Sequence, residues 1–275
     1  MNTVVEVDSF ETLLTKNASI QGERFRVGDR IRVYVKDVKK EQKGAQIFVS
    51  RADNMFLAEL FRQEVPEIYD GNIEIRGIAR DPGSKAKIAV YSDNENFDAV
   101  GACVGPRGVR VQAITSELKG ERIDVIKYTD DIIDYIVRAI TPAKPTKIIF
   151  DEDENSADII LTPDQLSLAI GRSGQNIKLA SKLTGVKLQA MTDEDEKKKR
   201  QEEFKRNTQN LIDTLDIEEI IAQLLVNNNY NSAADIINSS TEELAKIEGF
   251  SEDIIKEIYD RAVEYTENNK TVTEE

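Results

Sequence analysis

The 275-residue sequence contains no histidine, no tryptophan and a single cysteine, Cys103. Without imidazole the chain offers no Ser-His-Asp triad, no Cys-His pair and no histidine-bearing zinc site. One cysteine cannot close a disulfide within the chain, and its place between Ala102 and Val104 in an apolar segment reads as a buried structural thiol. Nowhere do about 18 apolar residues run uninterrupted, and the opening MNTVVEVDSFETLL has neither a basic start nor an apolar core, so neither membrane insertion nor export is expected. The chain reads as cytoplasmic. No carboxylate pair stands at a spacing suited to acid-base work, so no catalytic residue, no cofactor and no enzymatic activity are expected. The acidic string Asp151-Glu152-Asp153-Glu154-Asn155 begins like a calcium loop, but Ser156 stands where a glycine is needed and Thr162 where the bidentate glutamate belongs, so a solvated hairpin tip is expected and no metal.

What is present is charge, unevenly spread. The chain has 37 basic and 51 acidic residues, a net charge of -14. Residues 191–275 hold 22 acidic and 10 basic residues, whereas residues 1–190 hold 29 and 27. The first two thirds are therefore nearly neutral and the last third is an acidic module.

The chain also repeats itself. Val104-Gly105-Pro106-Arg107-Gly108-Val109-Arg110-Val111 returns as Ile170-Gly171-Arg172-Ser173-Gly174-Gln175-Asn176-Ile177, and the likeness extends outward from both. VQAITSELKG and IKLASKLTG follow as helices closed by Gly120 and Gly185, then RIDVIKY and VKLQAM as strands. Upstream, NIEIRGIARDPGSKAKIAVYS and KPTKIIFDEDENSADIILT read as strand pairs around turns, each preceded by a helical pattern, MFLAELFRQEVPEI and DDIIDYIVRAI. Each unit runs helix-strand-strand-helix-loop-helix-strand. Gly101, Gly105 and Gly108 miss the dinucleotide-binding spacing, and neither loop ends in the Gly-Lys-Ser/Thr of a P-loop.

This order, with Gly-x-x-Gly between two helices, resembles the KH domain of type II, in which the extra helix comes first. The resemblance implies single-stranded RNA binding, since a glycine loop opening a helix brings backbone N–H groups and the positive helix end against phosphate. Each loop interior holds one cation and no carboxylate. The RNA-facing positions the resemblance implies are Gly105, Pro106, Arg107, Gly108 and Arg110 in the first loop, and Gly171, Arg172, Ser173, Gly174, Gln175 and Asn176 in the second. Lys178 continues that polarity into the following helix as a further RNA-binding candidate. Arg80, Lys85 and Lys87 are strand-face candidates, for which a plain solvated face is the competing reading.

Ahead of the first unit, RFRVGDRIRVYVKDVKKEQKGAQIFVSR alternates as two strands about a basic turn and resembles the closing half of an OB-fold barrel, with Val4-Val5-Glu6-Val7 as a third strand. The barrel's opening two strands are not in the pattern, which fits either a fragment beginning at an internal methionine or a degenerate barrel. Behind the second unit, DEDEKKKR sets acids four residues before bases on a solvated helix. The remainder reads as short helices, with Ser240 and Glu243 as a capping box and Ser251 as a cap. Ile247-Glu248-Gly249-Phe250 resembles a helix-hairpin-helix turn, but Glu248, Glu252 and Asp253 beside it would repel phosphate, so a protein-contacting role is expected, with Ile220, Leu224, Ile236, Leu244 and Ile258 as core.

The fold class is thus multidomain α+β: a partial OB-fold barrel (1–52), two tandem type II KH domains (53–129 and 130–192), a charged helical linker (193–210), an all-α acidic helix-hairpin-helix-like module (211–267) and a disordered tail (268–275). In this order, and through ELFRQEVPEI, IARDPGSKAKIAV, DAVGACVGPRGVRVQAITSELKGERIDVI and LAIGRSGQNIKLASKLTG, the chain resembles the NusA family of bacterial transcription elongation factors. That resemblance implies a non-enzymatic, monomeric protein that binds nascent RNA and RNA polymerase, acts with other elongation factors, and influences pausing, termination and antitermination. The family's N-terminal polymerase-binding domain is not in this sequence, and one acidic module follows the KH pair where some members have two. A tandem-KH protein of RNA turnover or ribosome assembly is the second reading.

Overall fold

The computed structural model describes residues 2–41, 44–94 and 96–272 and divides into two compact units, residues 1–192 and 193–275. The first begins with two hairpins. Strand β1 (Thr3–Val7) pairs antiparallel with β2 (Phe10–Leu14), and β3 (Tyr34–Glu41) with β4 (Gly44–Ser50). The hydroxyl of Thr12 donates to the Ile47 carbonyl and ties one hairpin to the other. Strand β2 is an addition to the three expected, made by a turn with φ of 46° at Asp8 and 71° at Ser9, values usually supplied by glycine or asparagine. The alternating stretch before Tyr34 stays out of the sheet because it is broken by a turn at Gly28, where Arg26 N–H donates to the Asp29 carboxylate. Residues 42 and 43 of the expected basic turn lie outside the described residues. Little of this region is buried: Leu14, Ile20 and Val49 are, while Val4, Phe10, Leu13 and Val38 stay exposed.

The first α/β domain follows. Helix α1 (Asn54–Glu64) starts where the Asp53 carboxylate accepts from Met55 N–H and stops before Pro66, which opens the single turn α2 (Pro66–Tyr69). Strands β5 (Glu74–Asp81) and β6 (Lys85–Tyr91) are antiparallel, and β7 (Arg122–Lys127) joins β6 in parallel. Between β6 and β7 lie α3 (Ala99–Val104), a 3-10 turn (Pro106–Gly108) and α4 (Val109–Glu117). Phe56, Leu57, Leu60 and Phe61 of α1 pack with Cys103 and Ile114 on one face of the sheet, against Ala86, Ile88 and Val90.

The second domain repeats this: α5 (Ile132–Ala139), antiparallel β8 (Lys147–Asp151) and β9 (Ser156–Leu161), α6 (Pro163–Ile170), a 3-10 turn (Arg172–Gly174), α7 (Gln175–Thr184) and β10 (Lys187–Thr192), parallel to β9. The acidic string is the β8–β9 tip, where Glu154 N–H donates to Asp151 and the Asn155 amide to the Gly185 carbonyl. Ala79, Ala89 and Ile126 of the first sheet share a core with Ile136, Ala139, Ile159, Leu179 and Leu183 of the second domain. A side chain on Gly77 would sit 3.2 Å from Leu183 Cδ1, so glycine there lets α7 approach β5. The first sheet is therefore covered on both faces, which is why the interior of β6 is buried at every position rather than at alternate ones.

The second unit is all helical: α8 (Asp193–Leu215), α9 (Glu219–Asn227), α10 (Ala233–Asn238), α11 (Thr241–Leu244) and α12 (Glu252–Val272). Leu211, Leu215, Leu225, Ile236, Leu244 and Ile258 form its own core, with Leu224 packed against it. Ile220, expected in that core, is 68% exposed. Ser240 and Ser251 accept from the N–H groups of Glu243 and Ile254 as expected of caps. Residues 193–210 and 211–215 are one continuous helix, and α12 runs on into the expected tail as far as Val272, with 273–275 outside the described residues. Among the described residues no helix is long and apolar enough to cross a membrane.

Candidate nucleic-acid interface

The two Gly-x-x-Gly loops have one backbone conformation. Gly105 lies at φ 76°, ψ 170° and Gly171 at 70°, 180°, a region open in practice only to glycine. Arg107 (54°, 25°) matches Ser173 (53°, 29°), and Gly108 (77°, 12°) matches Gly174 (73°, 13°), all left-handed. Helices α4 and α7 then begin with no side chain capping their first turn, so N–H groups and the positive helix end face outward. Pro106, Arg107, Arg172 and Ser173 are exposed at the tips. Each loop thus sets a cation beside open N–H donors, the arrangement an anionic strand requires.

Beneath each loop one side chain reaches back under the first glycine. Arg110 donates to the Ala102 carbonyl at 2.7 Å and pairs with Glu67 at 2.9 Å. Asn176, the equivalent position, is buried; its amide donates to the carbonyls of Leu168, Ala169 and Ile140, and its oxygen accepts from Lys85 Nζ at 3.0 Å. A Cβ on Gly105 would stand 2.7 Å from Arg110 Cγ, and one on Gly171 2.8 Å from Asn176 Cβ. The first glycine of each loop is therefore fixed by space as well as by torsion. The Gln175 amide donates to the Asp81 carboxylate and, at 2.7 Å, to the Ser84 hydroxyl of the first domain. Lys178 is exposed on α7. Where the second loop meets the first domain there is a cleft of about 650 Å³ bordered by Lys85, Arg122 and Arg172, and beside it one of about 330 Å³ bordered by Arg172, Lys178 and Lys182.

Residues 51–128 match the description "NusA-like first KH domain" and residues 132–198 "NusA-like second KH domain". Two relatives named "Transcription termination/antitermination protein NusA", from Rickettsia prowazekii (strain Madrid E) and Rickettsia conorii (strain ATCC VR-613 / Malish 7), are each 46% identical over 267 residues. The chain belongs to the NusA family. The match covers 96% of this chain and 53% of each relative, so the chain spans about half the length of these curated NusA proteins. A solved structure, that of APE1850, overlaps 50% of this chain and 96% of its own at 21% identity and a TM-score of 0.38.

In this NusA-family chain several cations expected to face RNA lie inside instead. The Arg80 side chain is fully buried, bonded to Glu121 at 2.7 and 2.9 Å and to the carbonyls of Arg51 and Asp53. Lys87 is likewise fully buried and donates to Asp124 at 2.9 Å and to the Thr141 carbonyl. The physical reasons differ: Lys87 shares the sheet face of Ala89, which the second domain covers, whereas Arg80 lies on the opposite face, that of Ala86, enclosed by Glu121 and the Arg51 and Asp53 carbonyls of its own domain. Desolvation pulls the Lys87 ammonium below its ordinary pKa. For Asp124 burial works upward, but the ammonium groups of Lys87 and Lys85 outweigh it and hold the carboxyl below its usual range. Lys85 bridges Asp124 and Asn176 and is mostly covered. Asn176 is likewise a support rather than a contact surface, while Arg110 and Gln175 are partly exposed but already bonded to protein. Cys103 is buried as expected, and burial pushes its thiol up to about 12.

Sequence reasoning missed Arg122 and Lys182, ordinary strand and helix cations until domain docking brings them to the clefts. It also missed Arg51. Its guanidinium, between Glu23 at 2.7 Å and Glu117 at 2.9 Å, joins the irregular segment ahead of β3 to the C-terminal end of α4. Burial alone would lower its pKa, but the two carboxylates outweigh that and raise it.

Proposed function

We propose that this chain is the RNA-gripping portion of a NusA-family transcription factor, acting in the cytoplasm as a monomer on nascent single-stranded RNA and RNA polymerase to influence pausing, termination and antitermination. The observation that carries the reading is the repeated loop: two identical glycine-bent backbones, each offering an exposed arginine beside an uncapped helix start. The contact set is Gly105, Pro106, Arg107 and Gly108 with Gly171, Arg172, Ser173, Gly174 and Lys178. The loops hold the strand by phosphate, and the bases are read by the groove beside each loop, as KH domains do. The printed name of the relatives supports the transcriptional role. The acidic module is the part suited to a protein partner, since Glu248, Glu252 and Asp253 are exposed around the Gly249 turn and would repel RNA.

The double substitution Arg107→Asp with Arg172→Asp tests the reading. Each sets a carboxylate against phosphate, so affinity for single-stranded RNA should fall steeply. The slope of log affinity against log salt should shrink by about 0.7 for each lost contact. Unchanged RNA binding in the double variant would refute it.

A further inference from the structure

The two loops share a conformation but are held by different parts of the molecule. Both supports, Arg110 and Asn176, reach back to the carbonyl three residues before the first glycine, Ala102 or Leu168. Beyond that point they diverge. Arg110 turns to Glu67 of α2, within its own domain. Asn176 instead accepts a hydrogen bond from Lys85, the first residue of β6 in the other domain. Gln175, the residue before it, donates to Asp81 and Ser84, which flank the β5–β6 turn of the first domain. That turn is itself braced, because Glu121, locked to Arg80, accepts from Gly83 N–H at 2.8 Å.

We propose that Lys85, Asn176 and Gln175 form an interdomain latch that sets the second loop, so that this loop grips RNA only while its domain is docked on the β5–β6 turn of the first. The first loop, latched by Glu67 through Arg110, is independent of docking. Chemistry supports an active latch over incidental contact. Asn176 has its amide donors committed to three carbonyls, so its oxygen needs a donor from elsewhere, and Lys85 supplies a charged one in a mostly buried setting. Gln175 stands at the first position of α7, directly after Gly174, so restraining it restrains the loop. The use of the latch rests on the RNA reading above, whereas the latch itself is a property of the RNA-free chain.

The test is amide exchange in the RNA-free full chain, for wild type, Lys85→Met, Lys85→Arg, Gln175→Ala and Glu67→Gln. Lys85→Met leaves Asp124 paired with Lys87, and Gln175 is partly exposed, so the fold is retained and melting temperatures serve as the control. Lys85→Met and Gln175→Ala should each speed exchange at Gly171, Gly174 and Gln175, whose N–H groups bond the Ser167, Gly171 and Arg172 carbonyls, by about tenfold or more while leaving Gly105, Gly108 and Val109 unchanged. Glu67→Gln should do the reverse, and Lys85→Arg should restore protection. Lys85→Met should also weaken RNA binding and shrink the salt slope by about 0.7, one phosphate contact. Unchanged exchange at Gly171, Gly174 and Gln175 in both variants overturns the latch whether or not RNA binds. A mobilised loop with undiminished affinity, in a chain that does lose affinity on Arg172→Asp, overturns its role in gripping. Undiminished affinity in Arg172→Asp itself would overturn the RNA reading instead.

Discussion

At the scale of single residues, a charge's role here is decided by which sheet face it occupies and what covers that face. Arg107 and Lys87 are both cations in KH domains, yet one is exposed at a loop tip and the other fully buried against Asp124. Nothing in the identity of Lys87 announces this. A signal did exist in its neighbours, because β6 is apolar at Ala86, Ile88 and Val90 on one face and at Ala89 on the other, the signature of a strand covered twice. Gly77, a glycine inside a strand, marked the same close approach. The buried pair can be tested directly. Asp124→Asn leaves the Lys87 ammonium buried without its counter-charge and should cost about 3 kcal/mol, the low end for breaking a buried pair because the Thr141 carbonyl still accepts. Because the Asp124 pKa lies below its ordinary 3.8 in the folded chain, its contribution is present above that value and is lost as pH falls through the folded value. Denaturant melts of both proteins should therefore show the full gap at pH 7 and a narrowing gap below about pH 3.8, and a gap independent of pH would contradict the pairing.

At the scale of elements, the sequence is most readable where a pattern repeats and least where a turn is made by an unusual residue. The helix-strand-strand-helix-loop-helix-strand order was legible twice over because each copy checks the other. Strand β2 was not, since Asp8 and Ser9 take positive φ without a glycine or asparagine to announce the turn, and Phe10 and Leu13 stay exposed. The loops show how far residue type can be derived from backbone. Their two glycines have different duties: the first sits in a glycine-only region over a filled space, the second in the left-handed region with no neighbour closer than 3.5 Å to an added Cβ. Gly105→Ala and Gly171→Ala should each cost about 1–3 kcal/mol plus a displaced Arg110 or Asn176, and should weaken RNA binding. Gly108→Asn and Gly174→Asn should be far milder, since asparagine visits the left-handed region readily. Thermal melts with RNA titrations on the four variants check this, and equal losses at first and second glycines would contradict it.

At the scale of the whole molecule, the tandem domains share one core, and the acidic helices form a second body with a core of their own. That the KH pair would pack was legible from the short connection between them. Docking of the second domain is what covers Lys87 and most of Lys85, whereas Arg80, on the opposite sheet face, is enclosed by its own domain; β6 and Gly77 signal a second covering layer, but which cations end beneath it depends on the partner surface as well. The separation of charge, by contrast, is plain in composition: the residues after 190 carry 22 acids and 10 bases, and those before it are nearly balanced. Tethered to the unit proposed to grip RNA, such a module lowers the local concentration of a polyanion wherever it sits, by a field that reaches about 8–10 Å at physiological salt and about 30 Å at 0.01 M. Removing residues 193–275 should therefore raise the association rate for single-stranded RNA several-fold at about 0.01–0.05 M salt, with little change in dissociation, because the proposed contacts lie in residues 1–192. The two proteins should converge above about 0.3 M, where the field is screened within a few ångströms. Stopped-flow binding across that salt range checks the expectation. A gain that persists at high salt would mean direct blocking of the loops rather than repulsion, and a loss of affinity would mean that the acidic module itself contributes to RNA binding.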